Sequence, residues 1–216
     1  MEKKRILCYG DSNTWGLIGG SGKRHPDDVR WTGVCQKILG EEFTIIENGI
    51  VGRTTCFENG WGDCKNGREG LGYAILSSYP LDGVVIMLGG NDLTEKDAAH
   101  AATGCDELIR IIQNANSYFR VDSPVFYHEP KILLIAPPTL GKDVDESPFA
   151  FFHGLYEESL KLAPLYENVA KKRGIDFLDA SLITNDRSPI DKLHLEAEGH
   201  RKLGEAIATK LAEMFK

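Results

Sequence analysis

The alternation of apolar and polar positions divides the chain into five short apolar runs set between longer stretches of helical period. Residues 5–9, 43–46, 84–88, 131–136 and 175–178 are too short and too continuously apolar for amphipathic helices, and they read as strands buried on both faces. Between them, Trp31, Val34, Cys35, Ile38 and Leu39 fall on one face of a helix ended by Gly40. A short helix is expected over 71–78. A longer one is expected over 96–119, with Leu108, Ile111, Ile112 and Ala115 as its apolar face and a break at Gly104. Residues 152–172 read as a helix kinked at Pro164, and 196–214 as a final amphipathic helix. Residues 51–72 are rich in Gly and polar side chains without a clear period, the mark of a long functional loop.

Strands separated by helices predict a parallel sheet with right-handed crossovers and helices on both faces. The expected fold is therefore α/β: a single-domain three-layer α/β/α sandwich around a five-stranded parallel sheet. No linker, repeat or low-complexity segment divides the 216 residues, a length that suits one well-cored domain.

Composition narrows the function classes. With 42% hydrophobic and 26% charged residues the chain reads as soluble and globular, and its net charge of −7 argues against nucleic acid as a partner. No apolar run approaches the ~20 residues that span a bilayer, so no membrane association is expected. Met1-Glu2-Lys3-Lys4-Arg5 is basic, but the apolar stretch before Gly10 is too short for a signal peptide, which predicts a cytoplasmic protein. Cys8, Cys35, Cys56, Cys64 and Cys105 are odd in number, scattered and never C-x-x-C. They read as reduced thiols packed as small hydrophobes rather than disulfides, a zinc site or nucleophiles. The scattered histidines suggest no metal cluster, and His100 and His200 read as helix-surface residues.

The candidate chemistry lies where strands end. Gly10-Asp11-Ser12-Asn13-Thr14-Trp15-Gly16 follows the first strand, at the sheet edge where open α/β folds place ligands. Ser12 at such a turn fits two roles equally, helix N-cap and nucleophile. A nucleophilic serine needs a base, usually a histidine oriented by a carboxylate. Asp191-Lys192-Leu193-His194, beyond the last strand, has a spacing that lets a tight turn bring Asp191 to the near ring nitrogen of His194. By spacing alone, an Asp and a His near a helix start more often serve as cap and surface residue. Gly90-Asn91 follows the strongest strand, where an Asn amide can donate to an oxyanion without bringing charge, or simply make a turn. Gly52 offers a bare backbone N–H or is an ordinary loop glycine. What unites these weak signals is that they fall at the ends of successive strands on one edge of one sheet.

Gly10-Asp11-Ser12-Asn13, Gly52, Gly89-Gly90-Asn91-Asp92 and Asp191-Lys192-Leu193-His194 resemble, in order, the four blocks of the SGNH hydrolases, the GDSL-type esterases and lipases. Arg30-Trp31-Thr32-Gly33 and Gly52-Arg53-Thr54-Thr55 are similar to the arylesterase and acyltransferase branch. The resemblance implies a flavodoxin-like SGNH fold and a serine esterase without cofactor or metal. It implies Ser12 as nucleophile, His194 as base and Asp191 as its partner, with Ser12 N–H, Gly52 N–H and Asn91 as the oxyanion hole. Asn13, where the family's name-motif has Leu, then bears on substrate contacts rather than chemistry. Asp11 and Asp92 are expected to hold the two loops by hydrogen bonds. The branch implies a small-molecule ester with a small acyl group, acetyl above all, acyl transfer to alcohols beside hydrolysis, and a homo-oligomer that narrows the site. Trp15, Trp61 and residues 149–152 are aromatic candidates for its entrance. Trp15 alone, beside the nucleophile, is favoured as a substrate contact.

Three other readings compete. Against a flavodoxin-like phosphate-cradling module, this chain lacks G-x-x-x-x-G-K-[ST] and G-x-G-x-x-G, and Asp11 would repel the phosphate. Against a nucleophile-elbow hydrolase, it lacks G-x-S-x-G, and Ser12 comes too early, after the first strand. Against a pseudo-enzyme or interaction protein that keeps the fold stands the intact set of polar residues.

Overall fold

Both faces of the first strand, β1 (Lys4–Gly10), are apolar, and this places it inside the sheet rather than at its edge. The computed structural model describes residues 3–60 and 62–216. β2 (Phe43–Gly49), β3 (Leu81–Met87), β4 (Phe126–Ala136) and β5 (Asp176–Asp179) join β1 in one parallel sheet of order β2-β1-β3-β4-β5. The two-residue period of the strands sorts the core into two halves. Leu7, Tyr9, Val84, Ile86, Ile132 and Leu134 fill one; Ile6, Cys8, Val85, Met87, Leu133 and Ile135 fill the other.

The helices follow in chain order as α1 (Ser12–Trp15), α2 (Trp31–Leu39), α3 (Gly67–Ser78), α4 (Ala98–Gln113), α5 (Ala115–Tyr118), α6 (Tyr156–Ser159), α7 (Leu162–Arg173) and α8 (Ala197–Met214). α3, α4 and α7 cover the first half-core through residues such as Leu71, Ile112 and Tyr166. α2 and α8 cover the second through Trp31, Cys35, Leu203 and Ile207. The result is the expected single α/β domain with an all-parallel sheet between two helical layers.

Register positions the site. Gly10 of β1 pairs with Gly49 of β2 and with Met87 of β3, so these three strands end level and release their loops side by side. The chain goes from β1 outward to β2, then returns to lay β3 on β1's other flank. The crevice of such a sheet opens at that reversal, between the carboxyl ends of β1 and β3.

Several boundaries differ from expectation for local reasons. α3 begins at Gly67 rather than 71, because the Asn66 side chain accepts the Arg68 N–H at 3.0 Å and caps it. Gly104 does not break α4; it lies buried where any side chain would overlap that of Thr55, and the interruption comes at Asn114. Pro164 causes no kink, since it sits in the first turn of α7, where its missing N–H has no intrahelical partner to lose. The break falls instead between α6 and α7.

His200 was expected on the helix surface and is fully buried. It lies on the apolar stripe that α8 turns to the core, with Leu203, Ile207 and Leu211. There the Trp31 N–H donates to its Nδ1 at 3.3 Å, and the His25 ring meets it edge-on at 5.1 Å. Burial, then the nearby His25, His194 and Arg30, push its pKa down to about 3, so the ring stays neutral. His100 is exposed as expected. Cys8, Cys35 and Cys105 are buried, Cys56 is half-buried, and Cys64 is exposed; all five are free.

Candidate active site

The turn after β1 depends on Gly10, where a Cβ would overlap the Thr14 side chain and the Met87 carbonyl. Asp11 takes the cap of α1, its carboxylate accepting the Asn13 N–H at 2.9 Å. That separates the two roles open to Ser12. The serine is the first helical residue, not the cap, and its Oγ lies 2.9 Å from Nε2 of His194, 182 positions away in the chain.

The loop carrying His194 is folded around Asp191, which is wholly buried. Its Oδ1 accepts the N–H groups of Leu193 and His194 at 3.1 and 3.0 Å. Its Oδ2 lies 2.8 Å from Nδ1 of His194 and accepts the Gly20 N–H at 3.1 Å. Burial opposes charge on Asp191, but the hydrogen bonds and the facing imidazole outweigh it and hold the carboxyl below its ordinary range. An ionised Asp191 fixes the proton on Nδ1 and leaves Nε2 to accept from Ser12. Lys192 reaches Asp143 with Nζ at 2.7 Å, and its carbonyl accepts the Gly141 N–H at 2.9 Å, seating the loop on the 140s segment.

β3 delivers Gly89, Gly90 and Asn91 to the same rim. Gly89 has φ +118°, a backbone conformation that L side chains rarely adopt. Asn91 is buried, and one Nδ2 hydrogen goes to the Arg53 carbonyl at 2.9 Å, leaving the other uncommitted by that bond. Gly52, buried with φ +80°, lies in the turn closed by the Arg53 N–H to Ile50 carbonyl bond at 3.1 Å. Asp92 accepts the Thr55 N–H at 3.1 Å and also the Thr55 hydroxyl, so Asp11 and Asp92 hold their loops as expected. Burial pushes both carboxyls up to about 6, against the bonds each accepts.

Sequence reasoning missed Arg53 as an organiser of this rim. Its guanidinium donates to the carbonyls of Gly10 and Asn48 at 2.8 and 2.6 Å and to Asn48 Oδ1 at 2.8 Å, over the Tyr9 ring at 3.9 Å. One side chain thus ties together the ends of β1 and β2, while its own carbonyl holds Asn91. The sequence signal for it is its place in Gly52-Arg53-Thr54-Thr55, the block shared with the arylesterase and acyltransferase branch, which carries no hint of its partners.

The cleft at Ser12 measures about 20 Å³, with Ser12, Asn13 and Asn91 on its polar side and Leu93, Pro138, Leu140, Leu162 and Leu193 among its apolar walls. That is room for about one water-sized group. A 510 Å³ cavity lined by Lys4, Arg5, Asp82, Tyr127 and His128 lies at the opposite, amino end of the sheet, away from these groups.

Of the aromatic candidates, Trp15 is partly exposed beneath the Arg24 guanidinium at 4.9 Å and is not among the cleft's lining residues. Phe152 is buried with Leu140 and Val144, while Phe151 is exposed and stacks on Phe149 at 5.5 Å. Trp61 lies outside the described residues. Asn13, also on the cleft, accepts the Leu195 N–H on its Oδ1 at 3.0 Å. Among the described residues, no group of three or more His, Cys, Asp or Glu is arranged to hold a metal ion, and no helix is long and apolar enough to cross a membrane.

The sequence pattern of the GDSL-like Lipase/Acylhydrolase family matches residues 8–202. Among solved structures, Est24, a carbohydrate acetylesterase from Sinorhizobium meliloti, is 35% identical with a TM-score of 0.88, over 98% of this chain and 100% of that one. The native M. smegmatis aryl esterase is 31% identical with a TM-score of 0.87, over 98% and 99%. A lipolytic G-D-S-L family member from Veillonella parvula, 17% identical with a TM-score of 0.64 over 98% of both chains, shares the fold. No curated protein sequence matches the chain.

Proposed function

Because the chain belongs to the GDSL-like lipase/acylhydrolase family and is a carboxylic ester hydrolase of its serine-dependent kind, we propose that Ser12 is its nucleophile, His194 its general base and Asp191 the carboxylate that orients the base. The supporting observation is the continuous chain Ser12 Oγ, His194, Asp191, with contacts of 2.9 and 2.8 Å, in a buried site.

Ser12 Oγ attacks the ester carbonyl as Nε2 of His194 takes its proton, and Asp191 stabilises the imidazolium. Negative charge develops on the carbonyl oxygen, where the N–H groups of Ser12 and Gly52 and the second Nδ2 hydrogen of Asn91 act as donors. Arg53, by fixing Gly10, Asn48 and Asn91 at once, keeps these donors in place before substrate arrives. The tetrahedral adduct collapses, and the imidazolium gives its proton to the departing alkoxide. Water, deprotonated by the same imidazole, then releases the acid from the acyl-serine; an alcohol in its place gives acyl transfer.

The acyl group is small, acetyl above all. The narrow cleft beside the nucleophile, walled by Leu93, Leu140, Leu162 and Leu193, suits a short acyl chain, and the similar structures include a carbohydrate acetylesterase and an aryl esterase. Trp15 remains the proposed contact for the alcohol side. A homo-oligomer that narrows the entrance and a cytoplasmic location complete the proposed reading, both carried by the resemblance and the sequence rather than by a contact. Turnover of p-nitrophenyl esters tests the reading. Ser12→Ala lowers kcat/KM for the acetate about 10⁴-fold or more. Wild type prefers acetate over octanoate by at least about tenfold, since single methylenes in a fitted pocket already discriminate on that scale. Equal turnover of both chain lengths contradicts the acetyl assignment, and sedimentation as a monomer contradicts the oligomer.

A further inference from the structure

We propose that Asn13 is a positioning residue for the base, a strut that sets His194 against Ser12. This rests on the Ser12–His194 reading above and adds to it a residue whose expected role was substrate contact.

The backbone on either side of the imidazole is held at three points. The His194 N–H donates to Asp191 Oδ1 at 3.0 Å, and the His194 carbonyl accepts the Ser188 N–H at 2.7 Å. Both partners belong to His194's own loop, so they shape that loop without fixing its distance from the nucleophile. The third point does. The next N–H, that of Leu195, donates to Asn13 Oδ1 at 3.0 Å, and Asn13 is the residue after Ser12. The same two segments, 182 positions apart, are therefore joined by two parallel rungs: the reacting pair itself at 2.9 Å, and a rung one residue further on at 3.0 Å.

The second rung lies in the interior, with Asn13 only 7% exposed and Leu195 fully buried. Removing the acceptor would leave the buried Leu195 N–H without its partner, so the rung cannot be cut without moving the backbone beside the imidazole. Asn13's own N–H is bound to Asp11, so the strut is braced from the strand side as well. A reacting pair must be held to within a fraction of an ångström, and misplacement on the scale of 1 Å costs about 10²-fold in rate. The serine–histidine contact changes as the proton moves through the reaction; the Asn13 rung does not.

Two variants separate this role from substrate contact and from plain stability. Asn13→Leu keeps the branched shape and the number of heavy atoms, with somewhat larger groups, and removes the acceptor. The expected result is a kcat lower by about tenfold to 10²-fold, to the same extent for acetate, propionate and phenyl acetate esters, with KM unchanged. Asn13→Asp keeps the acceptor and adds charge near the imidazole. It turns over faster than the leucine variant on its alkaline plateau, and the acid limb of its kcat/KM profile moves to higher pH. A raised KM that differs among the esters, with kcat intact, makes Asn13 a substrate contact and overturns the proposal. So does an unchanged kcat in the leucine variant, or an acid limb of the aspartate variant that coincides with wild type. If the leucine variant fails to fold, the profile of the aspartate variant decides alone. Ser12→Ala measured alongside keeps the two readings apart, because its retained turnover would remove the nucleophile assignment whatever Asn13 does.

Discussion

Replacing Asp191 by Asn tests the proposed site at the point where shape and charge are easiest to separate. The native carboxylate accepts on both oxygens: two backbone N–H groups on Oδ1, and the Gly20 N–H together with Nδ1–H of His194 on Oδ2. A carboxamide fills the same space but has one acceptor and one donor. With its NH₂ toward Leu193 and His194, two buried backbone donors lose their acceptor, at about 1–3 kcal/mol each. The less costly arrangement turns the NH₂ toward Nδ1, depriving one backbone donor, the Gly20 N–H, instead of two, and Nδ1 must then give up its proton. The proton moves to Nε2, the atom that has to accept from Ser12. Folding survives and the base is lost. An aspartate-to-asparagine change of this kind in a serine triad lowers kcat by about 10⁴-fold, equivalent to about 5.5 kcal/mol of transition-state stabilisation. The assay is steady-state hydrolysis of p-nitrophenyl acetate by both proteins, with thermal unfolding as a control. A variant that folds normally and keeps activity within tenfold of wild type refutes the role given to Asp191.

Asn91→Ala should lower kcat by about 10²-fold or more with little change in KM, as loss of one oxyanion donor does, and an unchanged kcat removes Asn91 from that role. Gly89→Ala should lose about 3 kcal/mol or more of stability, because φ +118° disfavours a side chain and a Cβ would overlap the Tyr166 hydroxyl that donates to the Leu88 carbonyl at 2.8 Å. A wild-type melting temperature would contradict that packing. His200, held at about 3 in the fold, makes stability fall as pH drops from ~6.5 toward 3, since there the unfolded ring binds a proton that the folded ring excludes. The loss at pH 5 is about 2 kcal/mol. Asp11 and Asp92, raised to about 6, act with the opposite sign between ~3.8 and 6, because the folded state there binds the extra protons. Urea denaturation of wild type and His200→Gln at pH 7 and pH 5 isolates the histidine, as both proteins keep the two aspartates. Identical pH dependence in the two would show that His200 is not excluding a proton.

What the sequence made legible follows the strength of each physical constraint. Strands such as β3 announce themselves because a chain buried on both faces has no room for polar residues, and the order of the site blocks follows from where those strands stop. Residue type alone puts His200 on the surface, while its spacing from Leu203, Ile207 and Leu211 is that of a core stripe. By propensity Gly104 and Pro164 read as helix breakers. One is a packing gap for Thr55, the other a first-turn proline, and neither role is visible without the neighbouring element. Asp191 and His194, three apart, could be paired on paper. The contributions of Gly20, Arg53 and Asn13 could not, since each is a hydrogen bond between segments far apart in the chain. Ser12's release from capping was likewise settled by a neighbour, Asp11, taking the cap.

Mass spectrometry of the protein after reaction with a serine-directed fluorophosphonate shows which hydroxyl attacks, and the geometry assigns that attack to Ser12. One adduct per chain is expected, on the peptide carrying Ser12, formed in step with loss of esterase activity and absent from Ser12→Ala. Full inactivation with the label on any other residue would contradict it.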